Sequence, residues 1–258
     1  MSRYARPKSV LITGATGGIG SALAVCYAAP GVRLVLHGRR QAQLAALAAR
    51  CTAAGAEVLT AVGDVRERAQ FRAWLAEICA SDAPDLVLVT AGLNTHVGAQ
   101  VEAEDWASVE ALLEVNVWAA MATVDAVLPA MRRRGHGQIA LFSSLAAFHG
   151  LPLTPSYSAS KAAIKAYGEA LRGWLAPEGI AVNVVMPGYV DSLMCREMPG
   201  PKPCQWPAER AARVIQAGLR ANPARLSFPR LLAFGCWWLA VLPAAVSARL
   251  LRVLRYVP

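Results

Sequence analysis

The chain reads as an α/β fold, a doubly wound parallel sheet with helices on both of its faces. Three observations predict it. Strand-like and helix-like segments alternate from Val10 to Met186, the order that builds a parallel sheet with crossover helices. Runs such as Leu86-Val87-Leu88-Val89 are apolar at every position, as strands covered on both sides must be. The composition, 55% apolar against 17% charged over 258 residues, excludes a disordered chain and can fill one sizeable core.

Val10-Leu11-Ile12 is the first strand, Gly14 to Gly20 a glycine loop, and Ser21 to Ala29 a helix closed by Pro30-Gly31. Val32 to His37 is a second strand, Gln41 to Ala54 a helix, and Glu57 to Val62 a third strand running into Gly63-Asp64. The alternation continues with a helix over about Glu67 to Ala80, a strand Leu86 to Thr90, a long helix over about Asp105 to Met131, and a strand Gln138 to Ser143. A helix over about Ser156 to Leu175 and a strand Ile180 to Met186 follow. Pro187 to Pro207 carries five prolines and is expected to be an irregular, partly helical loop on the substrate side. Pro207 to Ala221 resumes as a helix, and Arg225 to Phe228 is the last short strand. The sheet thus has about seven strands. Residues 1-228 form the main domain and 229-258 an apolar, basic helical extension.

Ligands of such sheets bind beyond the carboxyl ends of the strands, and the unusual residues lie there. Thr13-Gly14-Ala15-Thr16-Gly17-Gly18-Ile19-Gly20 follows a strand and opens a helix. Glycines there let the backbone turn tightly and approach a pyrophosphate, whose charge the helix's first amides meet. After the second strand stands His37-Gly38-Arg39-Arg40. It offers no carboxylate for the two hydroxyls of a ribose but two guanidiniums for a 2′-phosphate, which favours NADP(H) over NAD(H), with Arg39 the first choice. Asp64, after the third strand, suits the adenine edge or a helix cap.

Tyr157 and Lys161 are four residues apart in Tyr-Ser-Ala-Ser-Lys, a spacing that stacks phenol and ammonium on one helical face. A cation beside a phenol favours the phenolate and turns a poor base into a usable one.

Together these segments resemble the classical short-chain dehydrogenase/reductase family from about Ser9 to Ser192. The signatures are Thr13-Gly14-(x3)-Gly18-Ile19-Gly20, Asp64-Val65, Ala91-Gly92, Asn116, Ser144, Tyr157-(x3)-Lys161 and Pro187-Gly188-Tyr189-Val190-Asp191-Ser192, in that order. The resemblance implies a Rossmann-like fold and an oxidoreductase that interconverts a ketone and a secondary alcohol. It implies that Tyr157 exchanges a proton with the substrate oxygen, while Lys161 lowers the tyrosine pKa and binds the nicotinamide ribose. Ser144 steadies the substrate oxygen, and Asn116 holds a relay water through a local distortion of its helix. Gly14, Thr16, Gly17, Gly18, Ile19, Gly20, Arg39, Asp64, Val65, Ala91 and Gly92 would line the cofactor site. Pro187, Gly188, Val190 and Ser192 would wrap its nicotinamide end.

Two positions depart from the family pattern. Ser192 stands where Thr is usual, a mild change. Thr90-Ala91-Gly92 replaces Asn-Ala-Gly, so a hydroxyl takes the place of an amide's paired donor and acceptor. The implied scheme needs no metal. His37, His96, His136 and His149 are far apart and read as loop or surface residues, with His96 and His149 near enough to strand ends to meet substrate.

The net charge of +9 does not point to nucleic acid, because after Glu209 there are eight arginines and no Asp or Glu, which places the excess in one tail. Arg132-Arg133-Arg134 ends the long helix, where cations complement the dipole. Six scattered cysteines without a CxxC, and an N-terminus without the pattern of a signal peptide, are expected of a cytoplasmic protein with reduced thiols.

Residues 231-248 carry no charge, but Gly235 and Pro243 are expected to interrupt them, which argues against a membrane span. From Ala244 to Val257, the residues Val246, Leu250, Leu251, Val253, Leu254 and Val257 fall on one helical arc, with Arg249, Arg252 and Arg255 on the other. Such a tail would bind anionic lipid peripherally through 231-257, at the inner face of the membrane, or form a homo-dimer or homo-tetramer contact, or cover an apolar pocket. The greasy tail suggests a lipid-like or acyl-chain substrate. A carbonyl on a sugar or capsular-polysaccharide precursor, and a non-catalytic nucleotide-sensing or membrane-scaffolding protein, are the alternatives.

Overall fold

The computed structural model describes residues 6–97, 103–198, 200–254 and Tyr256. Its sheet has seven strands, all parallel, in the order β3-β2-β1-β4-β5-β6-β7. These are β1 (Ser9–Thr13), β2 (Arg33–Gly38), β3 (Glu57–Val62), β4 (Leu86–Val89), β5 (Gly137–Phe142), β6 (Ile180–Pro187) and β7 (Arg225–Phe228). Every expected strand is present within a residue or so of its predicted ends.

Alternate residues of the central strands enter different cores, as a period of two demands. Val10 and Ile12 of β1, Leu34 and Leu36 of β2, and Leu86 and Leu88 of β4 pack with Leu23, Leu44 and Ile215. These come from α1 (Gly18–Tyr27), α2 (Gln41–Ala53) and, beyond the short α7 (Leu193–Glu197), α8 (Ala208–Ala221). Leu11, Val35, Val87 and Val89 face the other way, against Leu75, Val124 and Ile164 of α3 (Arg68–Asp82), α5 (Ala119–Arg134) and α6 (Pro155–Leu175). Both faces of the central strands are covered, so these need no polar side, whereas the edge strand β3 stays exposed at Glu57, Leu59, Thr60 and Val62.

The long helix predicted from Asp105 is α4 (Trp106–Leu113), a π-helical turn over Glu114–Trp118, and α5 in continuous succession. Asp105 caps it by accepting a hydrogen bond from the Ser108 amide at 2.9 Å. Among the described residues, Trp106–Arg134 is the one helix long and apolar enough to cross a membrane. Val109, Leu112, Val124, Val127 and Met131 are buried in the protein itself, which makes it a core helix.

Three expectations need correction. The helix after the glycine loop begins at Gly18 rather than Ser21, because Gly18 and Gly20 sit in its first turn where side chains would collide. A Cβ on Gly20 would fall 2.5 Å from the Gly14 carbonyl oxygen. His37 is no loop or surface residue: it is 4% exposed at the end of β2, its ring 5.3 Å from that of Phe71 and 4.8 Å from that of Trp74. In the tail, Gly235 lies inside α9 (Arg230–Val241), and only Pro243 breaks the chain before α10 (Ala244–Val253). Glycine in a helix costs about 1 kcal/mol, whereas proline also removes a donor and clashes with the preceding turn. The predicted arc members Arg255 and Val257 lie outside the described residues.

Candidate active site

The strand order reverses between β1 and β4, and the glycine loop occupies the crevice this opens. Gly14 has φ +71°, and a Cβ there would lie 2.6 Å from the Ala91 Cα, so only glycine lets the loop meet the end of β4. Gly18 is equally confined, its absent Cβ falling 2.9 Å from the Asp191 carbonyl oxygen and from the Ser192 Cβ. The loop after β6 therefore lies directly over the start of α1. Gly17 is the N-cap of α1 and no side chain caps the helix, which leaves its leading amides to meet an anion. A glycine cradle, an uncapped helix start and a strand crossover at one point fit a dinucleotide pyrophosphate.

Thr90, which replaces the family's Asn, donates from its hydroxyl to the Thr13 carbonyl at 2.6 Å. It ties β4 to β1 beneath the loop. Ala91 and Gly92 continue along the crevice, and a Cβ on Gly92 would come 3.3 Å from the Asn116 Oδ1 and 3.5 Å from the Lys161 Nζ.

At the other end of the crevice the arginines are already engaged. Arg40 donates to the Thr16 carbonyl and, at 3.4 Å, to the Thr16 hydroxyl. Arg39, half exposed, lies 3.5 Å from the Asp64 carboxylate. Asp64 also accepts from the Arg66 guanidinium at 2.8 Å, and these hydrogen bonds hold its carboxyl down at about 2. Its side chain is thus an arginine partner first, and the cap of α3 is Glu67. Val65 is buried beside it.

The chemistry-bearing side chains converge from α6, the π turn and the end of β5. Ser144 follows β5, caps a 3-10 turn over Leu145–Ala147 through the Ala146 amide at 3.2 Å, and shares one cavity wall with Tyr157, whose pKa it lowers. Ser143 points inward instead and donates to the Lys161 carbonyl at 2.7 Å. Lys161, buried, has its Nζ 5.6 Å from the centre of the Tyr157 ring and donates to the Phe142 carbonyl at 3.0 Å. Burial lowers its pKa to about 8. Tyr157 is pushed up from its ordinary value, chiefly by burial and against the opposing influence of Ser144. The sequence expectation of a phenol lowered by Lys161 is therefore not met in this arrangement, because desolvation outweighs every influence that lowers the phenol.

Asn116 is buried in the π turn. Its Oδ1 accepts from the Leu93 amide at 2.8 Å, and its Nδ2 donates to the Leu93 carbonyl at 3.0 Å and to the Ser160 hydroxyl at 3.0 Å. The distorted helix thus clamps the chain after β4 against α6.

Tyr157 and Ser144 open onto a cavity of about 540 Å³, whose wall also includes Ile19, Pro187, Gly188, Val190 and Ser192. Seven predicted site residues accordingly share one cavity, with Lys161 and Asn116 behind it and Arg39, Asp64 and Val65 at the far end of the crevice. Neither His96 nor His149 lines it. Among the described residues no group of three or more His, Cys, Asp or Glu side chains is placed to hold a metal.

Of the roles the sequence left open for the tail, covering an apolar pocket is one that the structure shows, although the sequence did not say which residues form the wall. Leu232, Cys236, Leu239, Leu242 and Leu251 of the tail close the cavity opposite Tyr157, and Leu232 comes within 2.9 Å of where a Gly188 Cβ would be. Tyr189, on the loop after β6, donates to the Tyr256 hydroxyl at 3.1 Å, and Tyr256 donates to the Pro201 carbonyl at 3.1 Å. The tail is a wall of the site.

The model of the family described as short chain dehydrogenase matches residues 8–201. An uncharacterized oxidoreductase of Myxococcus xanthus is 36% identical over 240 residues, 92% of this chain and 93% of that one. One from Mycobacterium tuberculosis is 31% identical over 254 residues, covering 96% and 94% of the two chains. Among solved structures, a short-chain dehydrogenase from Sphingobium yanoikuyae in complex with NADPH superposes with a TM-score of 0.80 at 26% identity, covering 93% of each chain. Another, from Burkholderia cenocepacia in complex with NADP, gives 0.77 at 27% identity over 94% of this chain and 97% of that one.

Proposed function

This chain belongs to the short-chain dehydrogenase/reductase family, and from that premise we propose that it interconverts a ketone and a secondary alcohol of lipid-like or acyl character, with NADP(H) as the redox partner. The observation that carries the reading is the shared cavity: a phenol and a serine hydroxyl meet at its inner end, and most of its remaining wall is apolar. A sugar or polysaccharide precursor would call for a wall rich in hydrogen-bonding groups. A purely nucleotide-sensing protein would have no use for the convergence of Ser144, Tyr157, Lys161 and Asn116.

A nicotinamide dinucleotide, when bound, supplies or accepts the hydride. The chain's own residues do the rest. The Ser144 hydroxyl, which shares the cavity wall with the phenol, holds the substrate oxygen beside it. Tyr157, held protonated at neutral pH by burial, gives its proton to that oxygen in the reductive direction and takes it back in the oxidative one. Lys161, with a pKa of about 8, remains cationic at pH 7 and stabilises the phenolate left behind. Asn116 fixes the chain after β4, and with it the floor of the crevice.

Arg39 and Arg40, two guanidiniums with no carboxylate after β2, support preference for a 2′-phosphate. Both solved relatives described above hold an NADP species. Exposed Trp106 and Leu113 on α4 support a homo-dimer or homo-tetramer. All six cysteines are unpaired, in keeping with a cytoplasmic location. The test is a ladder of methyl ketones of increasing chain length, and a sugar ketone, offered with NADPH or NADH and followed at the reduced-nicotinamide absorbance. kcat/KM rising with chain length under NADPH is expected, and turnover of the sugar ketone alone would overturn the reading.

A further inference from the structure

The outer surface of α9 and α10 carries many large apolar side chains. Leu231 is 77% and Val253 76% exposed, and Phe234, Trp237, Val241 and Val246 are exposed with them. Phe234, Trp237 and Trp238 form one aromatic cluster, with ring centres 6.1 Å apart for Phe234 and Trp237 and 5.3 Å for the two tryptophans. Soluble surfaces rarely carry so much contiguous apolar area without a partner.

Three residues join this surface to the catalytic cavity. Trp238, Leu250 and Leu254 are each at least 40% exposed, and all three line the cavity wall. The cavity wall is therefore continuous with the exposed apolar face at these three residues.

We propose that this face docks on an anionic membrane surface and that a single-chain lipid substrate passes from the bilayer past Trp238, Leu250 and Leu254 to Tyr157. The proposal rests on the lipid-like substrate reading above and adds the partner surface and the route. Charge selects the occupant. Arg230, Arg249 and Arg252 are exposed around the face, and the chain has no acidic residue after Glu209. Anionic headgroups complement such a rim, with indole rings at headgroup level and the aliphatic side chains beneath them. A second copy on the same face would be related by two-fold symmetry. It would bring arginines against arginines without a carboxylate and would shut that route.

The test uses the full chain with vesicles of phosphatidylcholine, with and without phosphatidylglycerol. Two double variants accompany it, F234S/W237S and R249E/R252E, none of whose residues lines the catalytic cavity. The wild type is expected to float with the anionic vesicles and to be released by salt. Both variants should partition at least about tenfold less. With NADPH, both should keep the wild-type rate on a short, water-soluble ketone and lose about tenfold or more on a long-chain ketone presented in vesicles. Flotation of wild type and variants to the same extent overturns the proposal. So does a wild type that ignores vesicles and sediments as a dimer that F234S/W237S dissociates. Wild-type flotation without turnover of any ketone would instead sink the substrate reading and leave the docking surface standing.

Discussion

Lys161 lies over the ring of Tyr157, the amine 5.6 Å from the ring centre, and donates a hydrogen bond to the Phe142 carbonyl. The ammonium is thus a buried cation without a carboxylate, stabilised by a dipole and a π face. That arrangement costs folding free energy. Lys161→Met is expected to raise stability by about 1–3 kcal/mol, seen as a higher urea midpoint at pH 7, while ketone turnover is lost. The folded pKa of about 8 lies below that of a free lysine, so the unfolded chain binds the extra proton between the two values. Wild-type stability should consequently rise with pH from about 8 to 10.5, and this rise should be missing in the variant.

Tyr157→Phe removes one oxygen and leaves the ring that packs in the cavity wall. The fold and the glycine cradle are untouched by it. A loss of about 10²- to 10⁴-fold in kcat is expected, with NADPH binding, read by quenching of tryptophan fluorescence, within about twofold of wild type. An equal loss in dinucleotide affinity would show that the phenol is structural.

Cofactor choice should reside in Arg39 and Arg40. Arg40 braces the loop through Thr16, whereas Arg39 is a half-exposed partner of Asp64 and can turn to a phosphate at little cost. Arg39→Ala is expected to lower kcat/KM for NADPH about 10- to 100-fold and to leave that for NADH nearly unchanged. Arg40→Ala should depress both, because the loop it braces serves either cofactor. Steady-state kinetics with the two dinucleotides separate these outcomes.

The strands and the site were legible in the sequence for one reason: each depends on a local pattern. Leu86 to Val89 is apolar on both faces whatever surrounds it, and the four-residue step from Tyr157 to Lys161 survives any packing. The π turn at Asn116 could be anticipated through the family resemblance alone, since nothing in Glu114 to Trp118 breaks a helix. The inner wall built by Leu232, Leu242 and Leu251 was not legible. Periodicity says that a helix has an apolar arc and not what that arc faces, and a tail apolar on two sides gives the same pattern for lid, lipid and subunit contacts. His37 failed similarly, because its burial depends on Phe71 and Trp74, more than thirty residues away.

His37 gives the protein an acid limit. Burial between aromatic rings lowers its pKa to about 4, and its Nδ1 has no hydrogen-bond partner. The unfolded histidine protonates near 6.5 while the folded one stays neutral, so stability is intact above about 6.5 and is lost as pH falls towards 4. Up to about 3 kcal/mol should vanish across that window. Asp64, with its pKa at about 2, loses its contribution only below its ordinary value near 4. Urea titrations at pH 7 and pH 4.5 should show the fall in the wild type and a much smaller one in His37→Leu.

Gly235 offers a way to change substrate length without touching the chemistry. It lines the cavity in the middle of α9, and a Cβ there meets nothing within 4 Å. Leucine at this position should therefore be accommodated and should gain up to about 1 kcal/mol from helix propensity. Its side chain also takes up room in a cavity of about 540 Å³. For Gly235→Leu, kcat/KM on short ketones is expected to stay within about twofold of wild type. On ketones with chains long enough to reach the tail it should fall about tenfold, because the leucine takes room such a chain would fill, and overpacking costs about 1–3 kcal/mol. A thermal melt together with the chain-length series checks both halves. An equal fall on every chain length would mean that substrate does not extend along the tail.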